Sequence, residues 1–422
     1  MNGIFYVKSQ NDSQNITKPE ALTVNPIRVA PGLGAGFAAQ GFQKAMPFFH
    51  AAPGCNFLSK VMLTQHFREP IATAGSDIKE TALIFGGTRE LQTAIQKFCE
   101  KSSPEIVFIL SSSIPEIRGE DYSESMAWLE KKFAATKFVV VKTPDFQGGF
   151  SEGYAQLIYR AVEDMAQSDG EKIPGQVNFL PAPYMSAGDI DAFVELAESL
   201  DLQTIVIPDL SSGPDGSKEK FSSMSPKGTT RDHLHLSGRS MATVTVGASL
   251  KPAGDFLQKK HCVEHFHFDS LTGLSASDNL VRQLMKISGK SDAPEKIKKD
   301  RARLKDLMID THLDLNERYV ALALEPDHVT AYKALFEETG IRFFATTNSL
   351  YEIEKRILSQ PVFDAIIAGT HGKELAEKFN LPLIRSGFAV TDRYGYQYKT
   401  LVGYKGAIEV ISELANIMAE AR

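Results

Sequence analysis

The chain has 422 residues, 43% of them hydrophobic, and a formal net charge of −6. That length can bury substantial cores and predicts two to three domains, while the negative balance offers no broad basic face and argues against nucleic acid or an anionic membrane as partner. Three cysteines fit a reducing cytosol better than an oxidised exterior, and neither a membrane-spanning run nor a signal peptide is read, so a cytoplasmic protein is expected.

Residues 1–22 form a polar arm rich in Asn, Gln and Ser. The glycines of Pro31-Gly32-Leu33-Gly34-Ala35-Gly36 carry a partial likeness to a dinucleotide fingerprint. Their spacing is wrong, no strand is read before them, and no acidic residue follows at a suitable distance. Glycines also let a backbone come close to a cofactor or a neighbouring subunit, and that is the use expected here. In Phe48-Phe49-His50-Ala51-Ala52-Pro53-Gly54-Cys55 the cysteine follows a Pro-Gly turn and precedes a helical stretch, 56–67. A helix N-terminus lowers a thiol's pKa and favours the thiolate, the form that binds metal. An iron–sulfur cluster takes about four thiolates, yet no second cysteine stands nearby. Cys55 is then either a buried structural cysteine or one ligand of a site that another chain completes.

Beyond it, short runs rich in β-branched residues alternate with segments of helical period, as a parallel sheet with crossover helices requires. Strands are predicted at 83–85, 106–110 and 138–141, with a helix at 89–100 carrying Leu91, Ile95, Phe98 and Cys99 on one face. The face makes Cys99 a core residue. A polar stretch, 167–176, separates a second block with strands at 177–180, 204–207, 242–246 and 263–268. Within it, 211–240 reads as a long surface excursion, with His233 and His235 solvated. On a strand, His261, His265 and His267 would share one face with Cys262 on the other. Three histidines can bind zinc, and an exposed strand face is the plainer reading. A helix at 277–287 and a charged stretch at 296–311 lead to a third block, with strands at 319–324, 342–345, 365–368 and 382–384. His371 reads as a turn residue, and 407–419 as a terminal amphipathic helix.

The expected fold is α/β, three Rossmann-like domains, each a mainly parallel sheet flanked by helices. Their expected bounds are 23–168, 172–275 and 317–422, with connecting helices in 276–316. Sites in such folds gather at the carboxyl ends of strands and in clefts between domains. The sequence holds no P-loop, CxxC or Ser–His–acid constellation.

An ordered set of motifs runs through the chain. It includes Asn25-Pro26, Leu33-Gly34-Ala35, Met46-Pro47, His50, Gly54-Cys55, His66-Phe67-Arg68-Glu69-Pro70 and Phe85-Gly86-Gly87. It continues through Thr143-Pro144-Asp145-Phe146, Ile207-Pro208-Asp209-Leu210, Leu271-Thr272-Gly273-Leu274, Arg385-Ser386-Gly387-Phe388, Asp392-Arg393 and Val402-Gly403-Tyr404-Lys405-Gly406. On these the chain resembles the nitrogenase superfamily over nearly its whole length. Within the superfamily it looks most like the β-type subunit of the scaffold on which the iron–molybdenum cofactor is matured.

The resemblance implies three positions where a catalytic β subunit has cysteines for an eight-iron cluster; here they are Ala30, Cys55 and Ser113. One remaining thiol implies a [4Fe-4S] cluster with Cys55 as its metal ligand from this chain and three ligands from a NifE-like α subunit. It further implies that His50, Gly54 and Ser113 line the pocket, and that Gly32, Gly34 and Gly36 let the backbone close around it. The implied assembly is an α2β2 heterotetramer that works with the iron protein NifH and receives the cofactor precursor from NifB. The precursor is carried mainly on the partner, and the product passes to the apo nitrogenase component, with no turnover of the scaffold's own. Two alternatives stay open: the β subunit of a nitrogenase-like reductase acting on another substrate, and a metal-free structural subunit.

Overall fold

The computed structural model describes residues 28–79, 86–216, 222, 224–347, 349–359 and 363–420. The expected N-terminal arm and the expected strand at 83–85 lie outside the described residues. The first unit runs α1 (Pro31–Ala39), β1 (Ala45–His50), α2 (Pro53–Phe67), β2 (Ala74–Gly75), α3 (Thr88–Ser102), β3 (Ile106–Ser111), α4 (Ser113–Arg118), α5 (Ser123–Lys132), β4 (Lys137–Lys142) and α6 (Phe150–Met165). The second has β5 (Ile173–Leu180), α7 (Ala187–Glu198), β6 (Gln203–Val206), α8 (Arg231–Ser237), β7 (Ser240–Val246), α9 (Lys251–His261) and β8 (Glu264–Phe268). Helices α10 (Leu274–Ser288) and α11 (Glu295–Asp310) lead to the third. That unit has β9 (Tyr319–Ala323), α12 (Pro326–Thr339), β10 (Arg342–Thr346), α13 (Leu350–Ser359), β11 (Ala365–Ala368), α14 (Lys373–Lys378), β12 (Leu383–Arg385) and α15 (Gly403–Glu420).

The three sheets are four-stranded, in the orders β2-β1-β3-β4, β6-β5-β7-β8 and β10-β9-β11-β12. Every pairing is parallel. Strands such as β3, Ile-Val-Phe-Ile-Leu-Ser, are buried on both faces, the continuous apolar run that helices on both sides of a sheet demand. In each unit the first strand lies inside the sheet and its successors fall on either side of it. That reversal opens a crevice at the carboxyl ends of the strands. One continuous core, from Leu33 to Met418, ties the units together.

Strand β1 is an element that the sequence reading passes over. It contains Pro47, which has no ladder donor. The edge strand β2 pairs only with Phe48 and Phe49, so Pro47 lies where β1 has a neighbour on one side alone. The glycine run is a second departure: Gly32, Gly34 and Gly36 sit on helix α1, eight of whose nine residues are buried. A Cβ on Gly34 would overlap the Phe150 carbonyl of α6, and one on Gly153 of α6 would overlap the Pro31 carbonyl of α1. The glycines Gly34 and Gly153 thus let two helix backbones touch. The backbone that comes close is the chain's own. Within the expected excursion at 211–240, residues 231–237 are helical and Ser240 opens β7. It docks on the first unit, where Thr229 N donates to Gly41 O at 2.8 Å.

The histidine stretch departs from a single strand face. His261 ends α9 and bonds Ser168 Oγ at 3.1 Å. Cys262 is the left-handed residue that closes this helix, and it is exposed. His265 and His267 do share a face of β8, where both bond Thr245 Oγ1, at 2.8 and 3.0 Å. Their outer nitrogens meet Asp255 and Asp269. Among the described residues no group of three or more His, Cys, Asp or Glu side chains is placed to hold a metal ion. Cys99 lies in the core as expected, and burial pushes its thiol up to about 11.

Candidate metal centre

Ala52-Pro53-Gly54 turns the chain out of β1 into α2. Ala52 is extended and proline takes the first helical position, where its fixed φ and missing N–H cost nothing. Cys55 therefore lies in the first turn, its amide donating to Ala52 O at 3.1 Å, and it is exposed. Where Gly54 would carry a side chain there is open space, with nothing within 4 Å.

Two neighbouring turns complete this sheet edge. Ser113 is the first residue of α4, directly after β3. Its hydroxyl donates to Asp145 Oδ2 at 3.1 Å and accepts from Asp145 N at 2.8 Å, fastening the turn after β4. The Asp145 carboxylate in turn acts on the Cys55 sulfur. At the third turn, a Cβ on Gly32, two residues beyond Ala30, would lie 3.6 Å from Thr143 Oγ1. Ala30, Cys55 and Ser113 thus border the same carboxyl edge of the first sheet. Asp145 carries no role in the sequence reading, although Thr143-Pro144-Asp145-Phe146 is among the motifs; its distance along the chain hides the contact.

The local electrostatics overturn one expectation. Partial burial first, and the Asp145 carboxylate second, push the Cys55 thiol above its ordinary pKa, while its backbone hydrogen bond pulls weakly the other way. A helix end is worth about 0.3–1 kcal/mol to a nearby charge, and here desolvation and a carboxylate outweigh it.

His50 does not line this opening as expected. Alternation along β1 sends its ring to the face opposite Phe49, into a buried polar cluster. Nδ1 meets Ser76 Oγ at 2.8 Å and Nε2 meets Glu120 Oε2 at 3.1 Å. Glu120 Oε1 accepts from Gly87 N at 3.0 Å. Burial pulls the His50 pKa down, against the hydrogen bond to Glu120. Its influence on the edge runs through its carbonyl, which accepts from the Ser112 hydroxyl at 2.9 Å, one residue before Ser113. Gly34 and Gly36 likewise serve packing, Gly36 against the Phe49 ring and Gly34 against α6.

Large apolar residues crowd the same edge. Phe57 and Leu58 follow Cys55 on α2, Ile117 lies on α4, and Phe146 follows Asp145; each is more than half exposed. Elsewhere, His233 is exposed and its amide closes the Thr230 cap of α8, at 3.0 Å, while His235 is half-buried on that helix. His371 lies in a short 3-10 turn, with Nε2 buried and unpartnered.

The family model described as nitrogenase component 1 type oxidoreductase matches residues 30–347 and 344–419. The chain is similar to the nitrogenase iron-molybdenum cofactor biosynthesis protein NifN of Rippkaea orientalis, 33% identical over 96% of this chain and 95% of that protein. It is 32% identical to NifN of Rhodobacter capsulatus, over 94% and 92% of the two chains. The nitrogenase molybdenum-iron protein beta chain of Clostridium pasteurianum is 28% identical, over 96% and 95%. A solved structure titled nitrogenase Cp1 at pH 6.5 superposes with a TM-score of 0.88 at 27% identity, covering 96% of this chain and 95% of that one. Three parallel four-stranded sheets, an open cysteine at the edge of the first, and full-length matches in sequence and structure together place this chain in the nitrogenase component 1 type oxidoreductase family.

Proposed function

We propose that the chain is the β-type subunit of a scaffold complex on which the nitrogenase iron–molybdenum cofactor is matured. In this reading Cys55 gives one thiolate to a [4Fe-4S] cluster that three thiolates of a NifE-like α subunit complete. The observation that carries it is Cys55 itself: an exposed thiol beside open space, at a sheet edge whose other two turns hold Ala30 and Ser113. The residues present fit one corner of a cluster, since Cys55 offers one thiol and no group of three or more His, Cys, Asp or Glu among the described residues is placed to hold a metal. A cluster held there by Cys55 and the partner's thiolates would supply one-electron transfer between docked NifH and a precursor, delivered by NifB and carried mainly on the partner.

The chain's own groups have definable parts. Helix α2 presents Cys55, and the Ser113–Asp145 pair holds the facing turns in register. Phe57, Leu58, Ile117 and Phe146 offer an apolar surface that a second chain would cover, excluding water from the thiolate. Ligation requires the proton to leave Cys55 Sγ. Partial burial and Asp145 oppose that loss in the free chain, and the positive charge of a bound metal would favour it.

Cys55→Ala in the complex purified with its α-type partner should remove about four irons per αβ pair and change the electron-paramagnetic signal of the reduced protein. Unchanged iron with an unchanged signal refutes the ligand assignment. The chain expressed alone should hold no stable four-iron cluster.

The likeness to the Clostridium pasteurianum beta chain favours a second reading, a catalytic subunit of a nitrogenase-like reductase. Substrate turnover by the complex without the nitrogenase component would establish it. A complex that lacks turnover and still activates the apo component supports the scaffold.

A further inference from the structure

A cavity of about 290 Å³ lies between the second and third units, away from the cysteine edge. Tyr184, beyond the end of β5, and Ser386, just past β12, form part of its wall. Both stand at carboxyl ends of parallel strands, where α/β folds place their ligands. The inner wall is rich in hydroxyls. Tyr332 Oη and Ser386 Oγ are 3.0 Å apart, and Ser386 Oγ is 3.0 Å from His328 Nε2. The Tyr396 hydroxyl accepts from Gly387 N at 2.7 Å and also meets Ser386, joining the same hydroxyl cluster. Tyr184 stacks on the His328 ring at 4.4 Å, and its hydroxyl makes no hydrogen bond among the described residues.

The charges around this space are already engaged. Lys399 Nζ donates to both oxygens of Glu413, at 2.7 and 2.9 Å. Arg385 donates to Asp392 Oδ2 at 3.2 and 2.7 Å. Asp189 accepts from Ser186 N at 2.9 Å, Leu401 N at 2.5 Å and Val402 N at 3.2 Å. Burial holds His328 neutral, its pKa pulled down to about 3. Inside, a carboxylate would find no free cation, and the buried Asp189 carboxylate is filled by backbone donors; breaking the Arg385–Asp392 pair leaves a desolvated charge behind. The Lys399–Glu413 pair and Glu409, which accepts from Thr400 N at 3.0 Å, are open to solvent. Hydroxyl donors and acceptors remain, with Leu401 and Val410 as apolar wall. We propose that this cavity binds an uncharged, hydroxyl-rich small molecule. A cavity of about 150 Å³ takes benzene, which sets the size at about a dozen heavy atoms.

Saturation-transfer NMR on the purified chain in complex with its partner tests this with glycerol, erythritol, glucose and myo-inositol, against adipate and 1,6-diaminohexane. Saturable binding of at least one polyol, and of neither charged probe, is expected. Tyr184→Phe removes a hydroxyl that bonds nothing among the described residues, so it should leave the melting temperature unchanged and weaken polyol binding about fivefold, the scale of one hydrogen bond. Ser386→Ala should weaken it also. No saturable polyol binding, preferential binding of a charged probe, or binding that both variants leave intact would each overturn the proposal.

Discussion

Two helices of the first unit open on the same tripeptide and share almost nothing afterwards. Ala30-Pro31-Gly32 begins α1 and Ala52-Pro53-Gly54 begins α2, each with an extended alanine and proline at the first helical position. Helix α1 is enclosed almost completely, whereas α2 buries only Ser59, Leu63 and Phe67. The start signal is local and identical; the fate of the helix is decided by what meets its sides. Glycines at Gly34 and Gly153 lock α1 onto α6, and a cysteine on the other helix faces out.

The contrast is broken most severely by Gly34→Leu. Its Cβ has nowhere to go but into the Phe150 backbone, so the expected loss is about 3 kcal/mol or more, read as a collapse of soluble yield and melting temperature. A variant that melts like the wild type would show that α1 and α6 can separate without cost.

The next effect is on pH dependence at the α6 end of the same seam. Glu325 accepts from Ser151 Oγ at 3.0 Å, and its Oε1 is buried without a partner. Burial first, then Glu152, push its carboxyl up to about 7. The folded state therefore holds this proton more tightly than the unfolded chain. That stabilisation is full below the ordinary glutamate range and is lost as pH rises through about 7. Glu325→Gln should flatten the fall in unfolding free energy between pH 5 and pH 8, measured by chemical denaturation, by an amount on the order of 2 kcal/mol. An equal slope in both proteins would remove Glu325 as its source.

On the open side the effects are smaller. Ser113→Ala breaks the two hydrogen bonds to Asp145 and should cost about 1 kcal/mol in chemical denaturation; no change would mean that water replaces the hydroxyl fully. Asp145→Asn should shift the pH midpoint of Cys55 alkylation downward, measured on the isolated chain with Cys262 replaced by serine. An unmoved midpoint would leave burial as the sole cause of the raised pKa. Gly54→Ala closes the series. With open space at that position, it should change stability by no more than about 0.5 kcal/mol, against the loss at Gly34.

The same pair of helices marks what the sequence made legible. Runs such as Ile106-Val107-Phe108-Ile109-Leu110 announce buried parallel strands, and their alternation with helical periods gives the three-sheet architecture directly. Helix α1 does not announce itself, because three glycines each cost about 1 kcal/mol of helix propensity and only contact with α6 repays them. Strand β1 is masked by Pro47, whose tolerance depends on how short β2 is. At the candidate site, the place of Cys55 at a helix start is readable. The sign of its pKa shift is not, since Asp145 lies far along the chain and reaches the thiol only once β3 and β4 are paired. His50 is misread for the same reason: Ser76 and Glu120 become its neighbours only in the folded sheet.

The two helices also differ as mechanical supports. Ala30 stands at the end of a rod clamped along its length, while Cys55 stands at the end of one with a wet flank. The opening between them has a fixed post on one side and a yielding one on the other. In the proposed complex, where a second chain covers this edge, the give must come from the α2 side, and amide exchange at residues 55–58 should slow on docking while that of 33–36 is already slow in the free chain.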